Sequence, residues 1–178
     1  LRSPAKYIND FQKTEVPFPF QQIENVEFKN EKFETYPNRD SIPYIEAYQL
    51  TEYLKIIEKF VRGTIRLDGW SKAWEEIFLK IKNNEDLGDL SNELWEVNQY
   101  EENEKDRVLL YVELIAKDKQ NNKIYEKILY IDEARDITQS AMSQCVSLTL
   151  ALTVECLINN KEISGIKRIF HDDKNVSY

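Results

Sequence analysis

The sequence predicts an α+β fold, a mostly antiparallel or mixed sheet covered by helices and closed by a long late apolar helix. Three observations point to it. Arg107–Ala116 and Lys123–Asp132 are runs rich in β-branched and aromatic residues, with apolar residues in period two, joined by the five polar residues Asp118–Asn122. Trp70, Trp74, Ile77, Phe78 and Ile81 recur at helical spacing, and Ser140–Asn159 is apolar on nearly every side, with Ser140 placed to cap it.

From the N-terminus, Ser3–Asp10 is too polar and interrupted to predict an element. Val16-Pro17-Phe18-Pro19-Phe20 alternates proline with bulky residues, which suits an extended edge segment. Val26–Phe28 and Lys32–Glu34 alternate apolar and charged residues around Asn30-Glu31, predicting a short hairpin. Between Ser41 and Phe60 the apolar residues Ile42, Ile45, Leu50, Leu54 and Ile57 recur at helical spacing, with Pro43 in a first turn and Thr51 as the N-cap of a Thr51–Val61 helix. Arg62–Leu67 reads as a strand closed by the Asp68-Gly69 turn, after which Ser71 would cap the next helix. Asn83–Asn103 is dense in Asn, Asp and Glu and reads as a polar loop or small helix.

At 178 residues the chain suffices for one well-cored domain, read as residues 1–139 with a returning C-terminal helix and tail over 140–178. With 31% charged, 42% hydrophobic and 12% aromatic residues it should fold, and a net charge of −8 argues against a nucleic-acid partner. No run of eighteen apolar residues and no signal pattern occurs, so the expectation is a cytoplasmic protein without a membrane partner. Cys145 and Cys156 stand about 16 Å apart along one helix, too far to pair, and a single His leaves no ligand set for structural zinc. The chain begins at Leu1 and its only methionine is Met142, which suggests a fragment of a longer protein.

In this acidic chain Arg39, Arg62 and Arg66 cluster near the tightest turns, in Tyr36-Pro37-Asn38-Arg39-Asp40-Ser41 and Arg62-Gly63-Thr64-Ile65-Arg66. Guanidinium forks suit carboxylates better than the lysine ammonium does. On a strand Arg62, Thr64 and Arg66 would share a face, with the two arginine Cα atoms roughly 13 Å apart, a separation that suits the two ends of a long ligand. Composition alone favours the plainer reading: Arg39 paired with Asp40 or Asp68, and Arg62 and Arg66 in structural ion pairs. Asp106-Arg107 reads as a pair at a strand start, His171 as a solvated residue, the cysteines as small core residues, and Trp70, Trp74 and Tyr48 as core.

Four segments in a fixed order resemble the saccharopine dehydrogenase (L-glutamate-forming) family: Pro4-Ala5-Lys6-Tyr7-Ile8, Tyr36–Ser41 with Tyr44 and Tyr48, Lys105-Asp106-Arg107-Val108, and Ser140-Ala141-Met142-Ser143. The match extends to Arg62–Leu67 with Asp68-Gly69-Trp70. The sequence departs from the family in reading Leu67 where RGTLRY has tyrosine and Val146-Ser147-Leu148-Thr149 where VGLP is usual. The resemblance implies the C-terminal substrate-binding and dimerisation portion of an oxidoreductase acting on a CH–NH bond in lysine metabolism. It implies saccharopine, a tricarboxylate amino acid, as ligand; Asn38, Arg39, Arg62, Thr64 and Arg66 as substrate-binding residues; and a homodimer. It favours ligand binding over ion pairing for Arg39 and Arg62, less for Arg66, and singles out no catalytic residue. The four glycines, Gly63, Gly69, Gly88 and Gly165, are too scattered for a G-x-G-x-x-G cradle, so no cofactor is expected on this chain, NADP or NAD belonging to a preceding nucleotide-binding domain. The alternative is a non-catalytic amino-acid-binding or oligomerisation module of the same fold.

Overall fold

Left-handed turn residues set the strand pairing at the start of the chain. The structure, a computed structural model, describes residues 1–101, 104–135 and 139–159. It divides into two compact units, Leu1–Trp95 and Glu96–Tyr178. In the first, β1 (Ala5–Asn9) and β2 (Gln12–Val16) pair antiparallel across Asp10 and Phe11, both at positive φ (48° and 61°). Two consecutive left-handed residues match the right-handed twist of a hairpin. The hairpin falls where the sequence predicts no element, because Ala5, Tyr7 and Ile8 are too short an apolar run to stand out, although all three are buried.

The predicted second hairpin is present as β3 (Glu24–Phe28) and β4 (Glu31–Pro37), turning at Lys29 and Asn30 (φ 51° and 65°). The predicted strand after Arg62 is β5 (Gly63–Leu67), which adds antiparallel to β4 to give the order β3-β4-β5. A Cβ on Gly63 would lie 3.3 Å from the Tyr36 carbonyl oxygen, so this strand entry favours glycine.

Three predicted elements come out differently. Val16 closes β2, and Pro19–Gln21 is a 3-10 turn rather than an extended edge, with proline at the position whose N–H needs no helical partner. The Ser41–Phe60 segment forms only α1 (Pro43–Ala47) and a 3-10 helix (Thr51–Ile56), because Gln49 takes a left-handed conformation (φ 58°) that stops α1; Thr51 lies inside the second helix and caps nothing. Beyond β5, Gly69 (φ 83°) is the N-cap and Ser71 sits inside α2 (Trp70–Ala73), which breaks at Trp74 before α3 (Glu75–Lys82). The aromatic face of this region packs as predicted: Phe20, Phe78 and Ile81 form a buried cluster flanked by Trp70, Trp74, Ile77 and Leu87. The Phe20 and Phe78 rings stack at 4.3 Å and 3°. The polar stretch that follows contains the small helix α4 (Leu90–Val97).

In the second unit, β6 (Asp106–Lys117) and β7 (Lys123–Arg135) pair antiparallel over almost their whole length, as the period-two pattern predicts. The Asp118 carboxylate accepts from the Asn122 side-chain amide, Asn122 N and Gln120 N, and these bonds hold it below the usual carboxylate range. The late helix is α5 (Ala141–Asn159), and Ser140 Oγ caps it by accepting from Ser143 N at 3.1 Å. Asp106 does not pair with Arg107. Its carboxylate accepts from Ala141 N (2.7 Å) and Met142 N (3.1 Å) at the positive end of α5, while Arg107 makes a two-point contact with Asp132 (2.7 and 3.1 Å).

The sequence predicts that α5 is buried on most sides, yet Val146, Leu150 and Ile158 are each at least 60% exposed within the described residues. Leu114, Ile124 and Leu129 of the hairpin are more than half exposed. By length and composition alone α5 is apolar enough to cross a membrane, with mean hydropathy 1.6 over its most apolar stretch, where the sequence reading finds no such segment. Cys145 and Cys156 are free thiols.

Asp106→Ala removes the two acceptors at the N-terminus of α5. It should destabilise the second unit by about 1–2 kcal/mol, visible as an earlier loss of helical circular dichroism in urea.

Candidate functional site

Ser41 is fully buried and joins three segments. Its N–H donates to Lys6 O (2.7 Å), its Oγ accepts from Arg62 N (3.0 Å), and its carbonyl accepts from Tyr44 N (3.1 Å). Beside it Lys6 N donates to Arg39 O (2.9 Å), and Asn38 N donates to Arg62 O (2.7 Å), extending the β4–β5 ladder past Pro37. Farther along β1, Ile8 and Phe60 exchange both backbone hydrogen bonds at 3.0 Å. The loop holding Asn38 and Arg39 and the segment entering Arg62 are thus both stitched to β1. Asp40 Oδ1 accepts from Ile42 N (2.9 Å), which fixes the turn into α1.

Two of the three guanidinium groups, those of Arg62 and Arg66, rest on aromatic side chains. Arg62, half-buried, places its guanidinium carbon 3.7 Å from the centre of the Tyr44 ring. Arg66, exposed, donates through Nη2 to Tyr36 Oη (3.1 Å) and lies 5.4 Å from the Trp70 ring and 5.9 Å from that of Tyr36. Tyr36 and Trp70 stack at 5.0 Å and 19°. Arg39, exposed, has φ 53°, a conformation that costs a residue with a Cβ roughly 1 kcal/mol.

Among the described residues none of Arg39, Arg62 and Arg66 makes an ion pair. Ion pairs found there include Lys6–Glu15, Lys59–Glu24, Arg107–Asp132 and Lys123–Glu126. The pairing of Arg39 with Asp40 or Asp68 that composition favours is not formed. A guanidinium on a ring face keeps its N–H edge available for a planar acceptor.

Of the residues singled out in the sequence, Asn38 enters through its backbone, with Arg39 and Arg62 on the same stitched junction. Arg62 lies one residue before β5, while Thr64 and Arg66 lie within it, Thr64 opposite Tyr36. Sequence reasoning missed Tyr44 and Tyr36 as supports for the arginines, and it missed Glu34 altogether. An aromatic residue near an arginine is too common a pattern to have revealed the first two, and nothing in the strand pattern marks Glu34 as buried. His171 lies outside the described residues.

Two surface concavities of about 520 and 550 Å³ are lined, one by Val97–Glu101 with Glu104 and the other by α5, and none of the three arginines lines either. Among the described residues the glycines form no phosphate cradle. Gly63 is in β5, Gly69 and Gly88 are in separate turns facing open space, and all three sheets are antiparallel. Among the described residues no cluster of His, Cys, Asp and Glu suits a metal.

Short antiparallel sheets with helices, an arginine-bearing loop and a late apolar helix define an α+β chain. The chain belongs to the saccharopine dehydrogenase C-terminal domain family, which matches residues 1–176. Its fold is similar to that of apo histidine-tagged saccharopine dehydrogenase (L-Glu forming) from Saccharomyces cerevisiae, with a TM-score of 0.70 at 18% identity over 92% of this chain. The chain spans about half (52%) of that enzyme's length. No curated protein sequence matches it.

Ser41→Ala leaves the half-buried Arg62 N–H without its acceptor and should cost about 1–3 kcal/mol in denaturant unfolding. Arg39→Asn places a residue that tolerates the left-handed region at φ 53°, and its thermal midpoint should be no lower than that of the native chain.

Proposed function

We propose that this chain is the substrate-binding and dimerisation part of an NAD(P)-dependent saccharopine dehydrogenase of lysine metabolism. In this reading it is cytoplasmic, and it holds the carboxylates of saccharopine while a nucleotide-binding domain outside the chain supplies the nicotinamide. The single observation that supports it most is the set of three guanidinium groups without acidic partners among the described residues, in a protein of net charge −8. Arg39 and Arg62 grip carboxylates from the stitched junction, Arg66 takes one farther along β5, and Asn38 and Thr64 add an amide and a hydroxyl. The chain's part is orientation and charge complementarity, which turns a bimolecular encounter into a fixed geometry.

The apolar faces of β6–β7 and α5 favour self-association, because exposed apolar area of this extent is uncommon on a monomer. A homodimer covers them in this reading. A non-catalytic binding or oligomerisation module of the same fold would share those faces.

Nuclear magnetic resonance titration with saccharopine tests the arginines. Arg39→Ala or Arg62→Ala should weaken binding by about 1.5–3 kcal/mol with the thermal midpoint nearly unchanged, and Arg39→Lys should recover only part of the loss. Unaltered affinity in both folded alanine variants would return these arginines to structural roles. Sedimentation should show a dimer, and a strict monomer that does not aggregate would contradict the assembly.

A further inference from the structure

Glu34 is 6% exposed and stands on β4 directly opposite Arg66 on β5. Facing residues of an antiparallel pair point to the same side of the sheet, and opposite charges placed there ordinarily bond to each other. These two do not. Glu34 Oε1 accepts from Gly69 N (3.2 Å) and Ser71 Oγ (2.9 Å), and Oε2 accepts from Ser71 N (2.6 Å). The carboxylate is occupied by the turn that follows β5, and Arg66 reaches instead to the neutral Tyr36 hydroxyl.

The turn so held contains Trp70, between the two residues that Glu34 grips. Trp70 stacks on Tyr36, two residues beyond Glu34 on the same strand, and lies 5.4 Å from the Arg66 guanidinium. The Glu34 bonds therefore set the indole that, with the Tyr36 ring, fixes where the Arg66 charge stands. They also keep a buried acidic group from neutralising it.

We infer that Glu34 is a positioning residue for Arg66: by clamping Gly69 and Ser71 it seats Trp70 against Tyr36 and leaves the Arg66 guanidinium oriented and without an acidic partner, ready for a carboxylate of the ligand. The inference deepens the carboxylate-binding reading and rests on it for the identity of the ligand, but the geometry it predicts for Arg66 is measurable without ligand.

The test uses the whole chain with Glu34→Ala and the milder Glu34→Gln and Ser71→Ala, each alone and combined with Arg66→Ala, and glutarate as the carboxylate probe. The Arg66 Nε–H signal in a proton–nitrogen correlation spectrum, assigned by its loss in Arg66→Ala, reports the ring environment. It should move toward the position of a solvated arginine in Glu34→Ala and less far in Glu34→Gln. Glutarate affinity should fall about tenfold in Glu34→Ala, should be partly recovered in Glu34→Gln, and should be no lower in Glu34→Ala/Arg66→Ala than in Arg66→Ala alone. An unmoved Arg66 signal in any folded Glu34 or Ser71 variant overturns the inference. So does an equal loss of affinity with and without Arg66, which would mark Glu34 as merely structural. If the signal moves while Arg66→Ala leaves glutarate binding intact, the positioning stands and the carboxylate-binding reading of Arg66 fails. Should Glu34→Ala not fold, Ser71→Ala, which removes one of three donors, decides the same question.

Discussion

The bonds of Ser41 are the constraint on which the arginine-bearing edge depends. A fully buried serine that donates to β1, accepts from Arg62 N and accepts again from the first turn of α1 ties together three segments that are distant in sequence. Burying its polar atoms is tolerable because all three find partners. Given that junction, the positions of Arg39 and Arg62 follow. Arg39 is held by its carbonyl bond to Lys6 in a backbone conformation it would not choose, and Arg62 is delivered to the Tyr44 ring as the chain enters β5. The strain at Arg39 is confined to one residue, and the Lys6 bond and the Asp40 turn offset it locally.

An acidic protein would be expected to neutralise its arginines with its own carboxylates. Two devices act against this here. Nearby acids are engaged by backbone amides, Asp40 by Ile42 N and Glu34 by Gly69 and Ser71, and a carboxylate so bonded gains little by turning to a guanidinium. The guanidinium groups of Arg62 and Arg66 in turn rest on Tyr44, Tyr36 and Trp70, which favour a cation through their ring faces without cancelling its charge.

Much of the fold was legible because long elements carry strong periodicity. The β6–β7 hairpin, the Ser140-capped α5, the β3–β4 hairpin and the Phe78–Ile81 core face all follow from spacing alone. The failures are short or depend on a single backbone angle. The β1–β2 hairpin has five residues a side, Gln49 stops α1 by turning left-handed, and Trp74 breaks the helix that Ser71 seemed placed to begin. At the site, the motifs located Arg39 and Arg62, but their supports are long-range. Ser41 meets Arg62 across 21 residues and Glu34 meets Ser71 across 37, and no local pattern encodes such pairs. The exposure of α5 was illegible for another reason: an all-round apolar helix states that it needs cover without saying what provides it.

In the proposed function Arg39, Arg62 and Arg66 are held apart from the protein's own acids in order to receive those of a ligand. A crystal structure of this chain grown with saccharopine is the decisive experiment. It should show carboxylate oxygens within hydrogen-bonding distance of Arg39 and Arg62, a third near Arg66, and Tyr44 and Trp70 still beneath the guanidinium groups of Arg62 and Arg66. Saccharopine bound elsewhere, with these arginines turned to Asp40, Asp68 or Glu34, would contradict the proposal.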